Sequence, residues 1–390
     1  MEQSKAQSFD PSKITVYALG LSRYAPRGAT LVAGVLLIEI GATFSLPVGV
    51  VNQMNATHSL LSLLTALAMG VLSIKLGMEI LLISGIGLSM ISAVGCLLAP
   101  TFQTLFLLYS LNGVAWSLIY PMSVALVGEL IPQEKRADAM SKLFAVPPII
   151  TVFGSPLVGY IGDWRRALLL YAIPLAAASL VLVRLSIPLR TTKARKVELT
   201  TAFRTLIANG SALTCFVYFL LNSVTWQIVG VLSISFLREH HQLSKAFTSL
   251  IYSGFAVAVF VGALSGGRIV NRYGRKPSTV FLTIIYGMTA ILFVLVPNAY
   301  VAAGLGILTC LLAGLRQPAA NSLTVEQIPE IRGSIMSLST ASGNVGGMIG
   351  AAVAGYLLLN YGWITAGVFL ALAAVLAGIV LQIYAKDPTA

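Results

Sequence analysis

Apolar residues in this chain neither alternate nor sit in short helical stripes; they run on for about twenty residues at a time, broken by brief polar turns. At 1.5 Å per helical residue, such a run crosses a hydrocarbon core of roughly 30 Å. Twelve of them are expected as membrane helices, at about residues 30–52, 56–75, 79–99, 103–131, 140–162, 166–188, 208–236, 246–268, 278–297, 301–325, 333–358 and 363–385. The pattern predicts an all-α membrane protein. Its predicted parts are an N-terminal segment (1–28), a six-helix bundle (29–188), a basic linker (189–206), a second six-helix bundle (207–385) and a short tail (386–390).

The two predicted bundles are related. Gly70 and Gly267, Gly77 and Gly274, Pro121 and Pro318, Glu129 and Glu326, and Pro132 and Pro329 all stand 197 residues apart. Coincidences of uncommon residue types at one offset mark a tandem repeat, and a duplicated membrane unit places function between its copies.

Composition agrees with lipid as the solvent: 57% of the 390 residues are hydrophobic, 10% are charged and mean hydropathy is +0.88. The net charge of +12 could point to nucleic acid, but its distribution excludes that reading. When alternate loops are assigned to one side, 20 of the 25 Lys and Arg residues fall there, Arg23 and Arg27 among them. Arg165, Arg166, Arg238 and Lys245 fall on the other side. The positive-inside rule then puts both termini in the cytoplasm of a cell-membrane protein. In the N-terminal segment, Ile14, Tyr17, Ala18 and Leu21 follow helical spacing, so the segment reads either as a surface-lying helix or as a disordered tail. Cys96, Cys215 and Cys310 lie within apolar runs and read as small core residues. Three scattered histidines make no metal-ligand pattern, and neither a metal nor a cofactor is expected.

The stretch from Gly267 to Lys276, GRIVNRYGRK, resembles the cytoplasmic loop signature of the major facilitator superfamily, and Gly70 to Glu79 reads as a degraded copy of it. The resemblance extends to Gly154-Ser-Pro-Leu-Val-Gly159 in helix five and to Gly343, Gly347, Gly350 and Gly355 in helix eleven. It implies two pseudo-symmetric six-helix bundles around a central cavity lined by helices one, four, seven and ten. The chain departs from the signature where an acid is usual, with Asn271 in one half and Ile74 in the other. It also lacks the helix-four Arg typical of drug:proton antiporters.

Within the predicted spans, the charges set well inside are Glu39 on helix one and Arg316 on helix ten. An intramembrane charge costs at least about 2.5 kcal/mol on insertion scales, which makes each a functional candidate. Glu39 is the expected proton carrier. Arg316 suits either an anionic substrate group or a counter-charge to Glu39, and a purely structural pair is the alternative. Polar and aromatic residues on the same helices complete the expected substrate site: Tyr109, Asn112, Trp116 and Tyr120 on helix four, Asn222, Trp226 and Gln227 on helix seven, and Gln317 and Asn321 on helix ten. Each of these could equally serve helix packing.

A cytoplasmic gate is expected from Gly70, Gly77, Glu129, Arg136, Gly267, Asn271, Arg272, Gly274, Arg275, Glu326 and Arg332, with the two glutamates pairing with loop bases. The reading is a secondary active transporter and not an enzyme. It is expected to be a monomer that moves a small organic or amphipathic solute by alternating access, as a proton-coupled exporter. A carrier of organic anions with Arg316 as anchor, or a lipid transporter, is the alternative. No Walker-type phosphate loop is present, so an ion gradient is the expected energy source.

Overall fold

In a computed structural model the described residues, 13–131, 136–187, 209–328 and 332–387, are almost entirely helical. The linker at 189–206 lies outside them, as do Pro132, Pro329 and the side chains of Lys75, Arg136, Asn271 and Arg332. We number the membrane segments α1 to α12. Three pieces make up α1, Lys13–Ser22, Ala25–Val35 and Leu37–Phe44. There follow α2 (Gln53–Leu76), α3 (Met78–Leu98), α4 (Phe102–Leu130), α5 (Arg136–Ile161) and α6 (Trp164–Ser186). The second half holds α7 (Gly210–Val231), α8 (Lys245–Tyr273), α9 (Arg275–Leu295) and α10 (Ala299–Val325). A 53-residue helix divides at Gly362, whose φ is 77°, into α11 (332–361) and α12 (363–384).

The 197-residue offset is visible in the backbone. α3 and α9 are both 21 residues long and start and end at positions related by it, as do the last residues of α2 and α8 and the first residues of α4 and α10. The side chains of Thr101 and Asn298, also 197 apart, accept backbone N–H bonds at the N-termini of α4 and α10. Pro121 and Pro318 sit inside those two helices.

Gly77 (φ 79°, ψ 155°) and Gly274 (φ 86°, ψ 166°) form the α2–α3 and α8–α9 turns. That backbone region is essentially closed to residues with a Cβ, which explains why glycine recurs at both positions.

The first helix differs from expectation at both ends. Hydropathy starts it near residue 30, but residues 13–28 are helical and packed into the first bundle. The Thr15 hydroxyl donates to the Ser186 carbonyl, the Ser179 hydroxyl to the Leu21 carbonyl, and the Tyr24 and Tyr171 hydroxyls bond at 2.7 Å. Gly20 lies against Val146 and Gly28 against Ala172, so small residues allow α1 to seat closely on α5 and α6. Ala18 is buried while Ile14 and Tyr17 face outward. A cytoplasmic segment ending at residue 28 is therefore corrected, because its polar residues hid a buried helix. At the other end α1 stops at Phe44, where Ser45 turns left-handed and Pro47 caps the short helix Val48–Val51. A non-helical Leu36 bends α1 by 69° between its second and third pieces.

The halves meet at the face opposite the termini. The Ser155 hydroxyl (α5) donates to the Ser249 carbonyl (α8), the Lys245 ammonium to the Gly162 carbonyl, and the Asn52 amide to the Ala351 carbonyl (α11). Gly159 fits against Ser249, and Gly355 against Gln53 and Gly49. Small residues of α5 and α11, Gly159, Gly347 and Gly355 among them, thus lie at the seam between the bundles.

Replacing Gly77 or Gly274 by Ala should destabilise the fold by about 1–3 kcal/mol each. Thermal unfolding of the detergent-solubilised protein checks this. Gly267→Ala, a helical site where an added Cβ meets open space, should leave the midpoint unchanged or raise it slightly.

Candidate substrate site and gate

Two arginines that hydropathy assigns to a soluble tail lie inside the first bundle. Arg23 and Arg27, one helical turn apart on α1, face Tyr120 and Trp116, one turn apart on the antiparallel α4. The Arg23 guanidinium stands 3.9 Å from the centre of the Tyr120 ring and 4.2 Å from that of Phe144. The Arg27 guanidinium stands 5.1 Å from the centre of Trp116, and Trp116 and Tyr120 stack at 5.7 Å. Arg23 is only 4% exposed, and its Nη1 is buried without a hydrogen-bond partner. Arg27 is half-buried.

The second half presents a comparable clasp. Arg316 on α10 donates from Nη1 to the Tyr218 hydroxyl on α7 at 2.9 Å, and its guanidinium lies 4.4 Å from the centre of the Tyr286 ring on α9. Its Nε is buried without a hydrogen-bond partner. The 197-residue offset relates Gln317 to Tyr120, so Arg316 and Arg23 lie at equivalent depths in the two bundles. Among the described residues no carboxylate forms an ion pair with any of the three arginines. A desolvated cation over an aromatic face gains about 2 kcal/mol, which offsets only part of the several kcal/mol that burying an unpaired ion costs. The arrangement is electrostatically unfinished and suits an anionic group.

Other expected site residues divide. Trp116, Tyr120, Gln317 and Asn321 are half-buried or exposed on α4 and α10, beside the arginines in sequence or space. Tyr109 and Asn112 are corrected to scaffold. Tyr109 donates to Asn55 and packs on His58, while Asn112 is fully buried, donating to the Pro26 carbonyl and accepting from Ser89. That amide ties α1, α3 and α4 together behind the arginines. Gln227 donates to the Gly347 carbonyl within the second bundle, and Asn222 to the Tyr218 carbonyl on its own helix. Each of these two keeps a buried, unpartnered carbonyl oxygen. Trp226 lies over Gly230 at the start of a π-helical turn, Gln227–Val231.

Glu39 is part of the seam. Its carboxylate takes a bidentate pair of bonds from Arg238, at 2.7 and 2.8 Å, and a third contact from Lys245 at 3.3 Å. Both bases belong to the second half, so one acid clasps the two halves at the face opposite the termini. Glu239, His240 and His241 follow Arg238 along the chain. Burial raises the Glu239 carboxyl above its ordinary range, against the opposing effects of a hydrogen bond from Trp363 and the charge of Arg238, and burial lowers His241. In this conformation the Glu39 carboxylate is held by two bases and joins the two halves.

At the termini-bearing face, Glu326 lies 3.8 Å from Arg275, joining the start of α9 to the end of α10 within one half. Arg272 lies over Tyr273, and Glu129 is exposed at the end of α4.

The sequence model of the Major Facilitator Superfamily matches residues 25–233 and again 214–390. The chain belongs to the major facilitator superfamily. As a superfamily member it is a multi-pass membrane transporter of a solute and not an enzyme. It is 26% identical to the uncharacterized MFS-type transporter YwfA of Bacillus subtilis, over 94% of this chain and 91% of that one. It is also 26% identical to a gallate transporter of Pseudomonas putida, over 38% of this chain and 33% of that one. The crystal structure of the nucleoside transporter NupG matches with a TM-score of 0.78 at 17% identity, covering 95% of this chain and 98% of that one. The shared fold is that of two six-helix bundles.

The arginines on α1 could have been found from sequence by one signal. Arg23 and Arg27 share the i, i+4 spacing of Trp116 and Tyr120.

Removing one partner from the latch, as in Glu39→Gln or Arg238→Gln, should cost about 1.5–3 kcal/mol of closure, or roughly a 10- to 100-fold rise in opening. Maleimide labelling of Ser249→Cys, a site buried in the seam, reads it. The charge swap Glu39→Arg with Arg238→Glu should restore slow labelling.

Proposed function

We propose that the protein carries small organic anions, with aromatic carboxylates as the best-fitting class, across the cell membrane by alternating access. The single observation behind this reading is the set of three membrane-level guanidinium groups that pair with no carboxylate among the described residues. Arg27 and Arg316 would engage the carboxylate. Trp116 and Tyr120, stacked on each other, place aromatic surface beside the arginines. Likeness to a gallate transporter, covering 38% of this chain, supports the same class, since gallate is an aromatic acid.

The excess of Lys and Arg in alternate loops supports cytoplasmic termini. In that orientation the Glu39–Arg238 latch lies at the outer face. Export of cationic drugs fits poorly, because such a substrate would meet three positive charges that pair with no acid among the described residues. Energy coupling through Glu39 also fits poorly, because its carboxylate is occupied by the latch.

Binding to purified protein separates the classes. Benzoate or 4-hydroxybenzoate should bind in competition with one another, while tetraphenylphosphonium should not. Arg316→Gln and Arg27→Gln should each weaken benzoate binding about 10- to 100-fold, since a hydrogen bond to a charged group is worth roughly 1.5–3 kcal/mol. If both variants bind benzoate as tightly as the parent protein, the reading fails.

A further inference from the structure

At the termini-bearing face, the ends of α7 and α12 border a cleft of about 670 Å³ that lies outside the site described above. Its floor is open because α7 begins with the small residues Gly210 and Ser211, and a Cβ built on Gly210 would meet nothing within 4 Å. Along α7 the lining positions Gly210, Leu213, Thr214 and Val217 follow the i, i+3, i+4, i+7 spacing of one helix face. On α12 the lining positions Val380 and Tyr384 share a face at i, i+4.

The walls change character with depth. Asn209, Ser211 and Lys386 line the cleft at the helix ends, whereas Leu213, Val217 and Val380 line it one to two turns further into the span. Leu213 and Val217 are exposed, so the apolar part opens outward to hydrocarbon. Tyr384, also exposed, stands near the helix end, where amphipathic rings favour the boundary between lipid and water.

The polar end is held together by hydrogen bonds and carries an unpaired charge. The Lys386 backbone N–H donates to the Ser211 hydroxyl at 2.8 Å, the Gln327 amide to the Lys386 carbonyl at 3.0 Å, and the Asn209 amide to the Gln327 carbonyl at 3.4 Å. These bonds gather the ends of α7, α10 and α12 around the mouth. Among the described residues the exposed Lys386 forms no ion pair. The neighbouring acid, Asp387, accepts from the backbone N–H of Lys276 on α9. In sequence the stretch that precedes Asn209 is basic, with Arg190, Lys193, Arg195, Lys196 and Arg204 against the single acid Glu198. That segment has the wrong charge to fill a cleft rimmed by a lysine, and it adds to the attraction for an anion.

We propose that the cleft holds one anionic phospholipid, with its phosphate beside the Lys386 ammonium and the Ser211 hydroxyl and one acyl chain along Leu213, Val217 and Val380. A ligand for this cleft has to be anionic at one end and apolar along its length. A free phosphate would leave the apolar part unfilled, and a zwitterionic headgroup would bring a second cation toward Lys386. In the orientation proposed above, the lipid comes from the cytoplasmic leaflet. Seated there it braces the ends of α7, α10 and α12, whatever solute the protein carries.

Native mass spectrometry of the full-length protein in detergent, titrated with dioleoyl phosphatidylglycerol or dioleoyl phosphatidylcholine, tests the proposal. The first phosphatidylglycerol should bind at least about fivefold more tightly than the first phosphatidylcholine, the preference that one lysine at a membrane surface confers. Lys386→Gln should remove that preference. Gly210→Leu, which fills the floor of the cleft, should weaken the first phosphatidylglycerol at least about fivefold. Arg268→Gln, which removes an exposed base from α8, should leave it unchanged.

Thermal unfolding supplies a second readout. Phosphatidylglycerol should raise the midpoint of the parent protein and of Arg268→Gln, and raise it less in Lys386→Gln and Gly210→Leu. Equal affinity of the parent for the two lipids, or parent-like phosphatidylglycerol binding in both cleft variants, overturns the proposal. Displacement of the bound lipid by millimolar glycerol 3-phosphate also overturns it, because the cleft would then be reading a soluble phosphate rather than a lipid.

Discussion

A positive charge in hydrocarbon must be compensated, and most of what is distinctive about this chain follows from how it meets that requirement. Arg238 and Lys245 are compensated by Glu39, reaching across from the other bundle. Arg23, Arg27 and Arg316 are compensated only by aromatic faces and a tyrosine hydroxyl. The first group closes on itself and holds the halves together. The second stays incomplete, and its incompleteness is what a substrate can satisfy. One electrostatic rule thus yields a structural contact at one face and cationic, aromatic-lined groups within each bundle.

The scaffold serves that division. Repeat-related glycines at the turns, side-chain caps at the starts of α4 and α10, and prolines within those helices give two bundles of matching geometry. Small residues in α5, α8 and α11 bring the bundles together at one face. Asn112, tying α1 to α3 and α4, holds the first helix in the position that sets Arg27 against Trp116. These polar contacts consume side chains that would otherwise look like ligand contacts.

The fold was legible because duplication left a constant offset in residues that few alternatives can replace: Gly77 and Gly274 adopt a backbone only glycine tolerates. The site was harder to read. Arg23 and Arg27 follow a polar stretch and flank Pro26, so averaged hydropathy places them outside the membrane. Their aromatic partners lie about ninety residues away, and sequence gives no distance between them. Glu39 shows the same limit. An acid inside an apolar run reads as functional, but its partner Arg238 is 199 positions away in a segment that reads as an ordinary loop. Arg316 was visible because no polar neighbourhood explained it. Sequence reveals unusual charges well and their counter-charges poorly.

The bend at Leu36 bears on more than the path of α1. Glu39 lies on one side of it and Arg27 on the other, so the contact across the seam and the arginine that faces Trp116 belong to one rod with a joint. A straight helix would transmit any tilt at Arg27 rigidly to Glu39. A jointed one can absorb a small displacement and pass on a large one, which gives the helix the character of a crank with play in it.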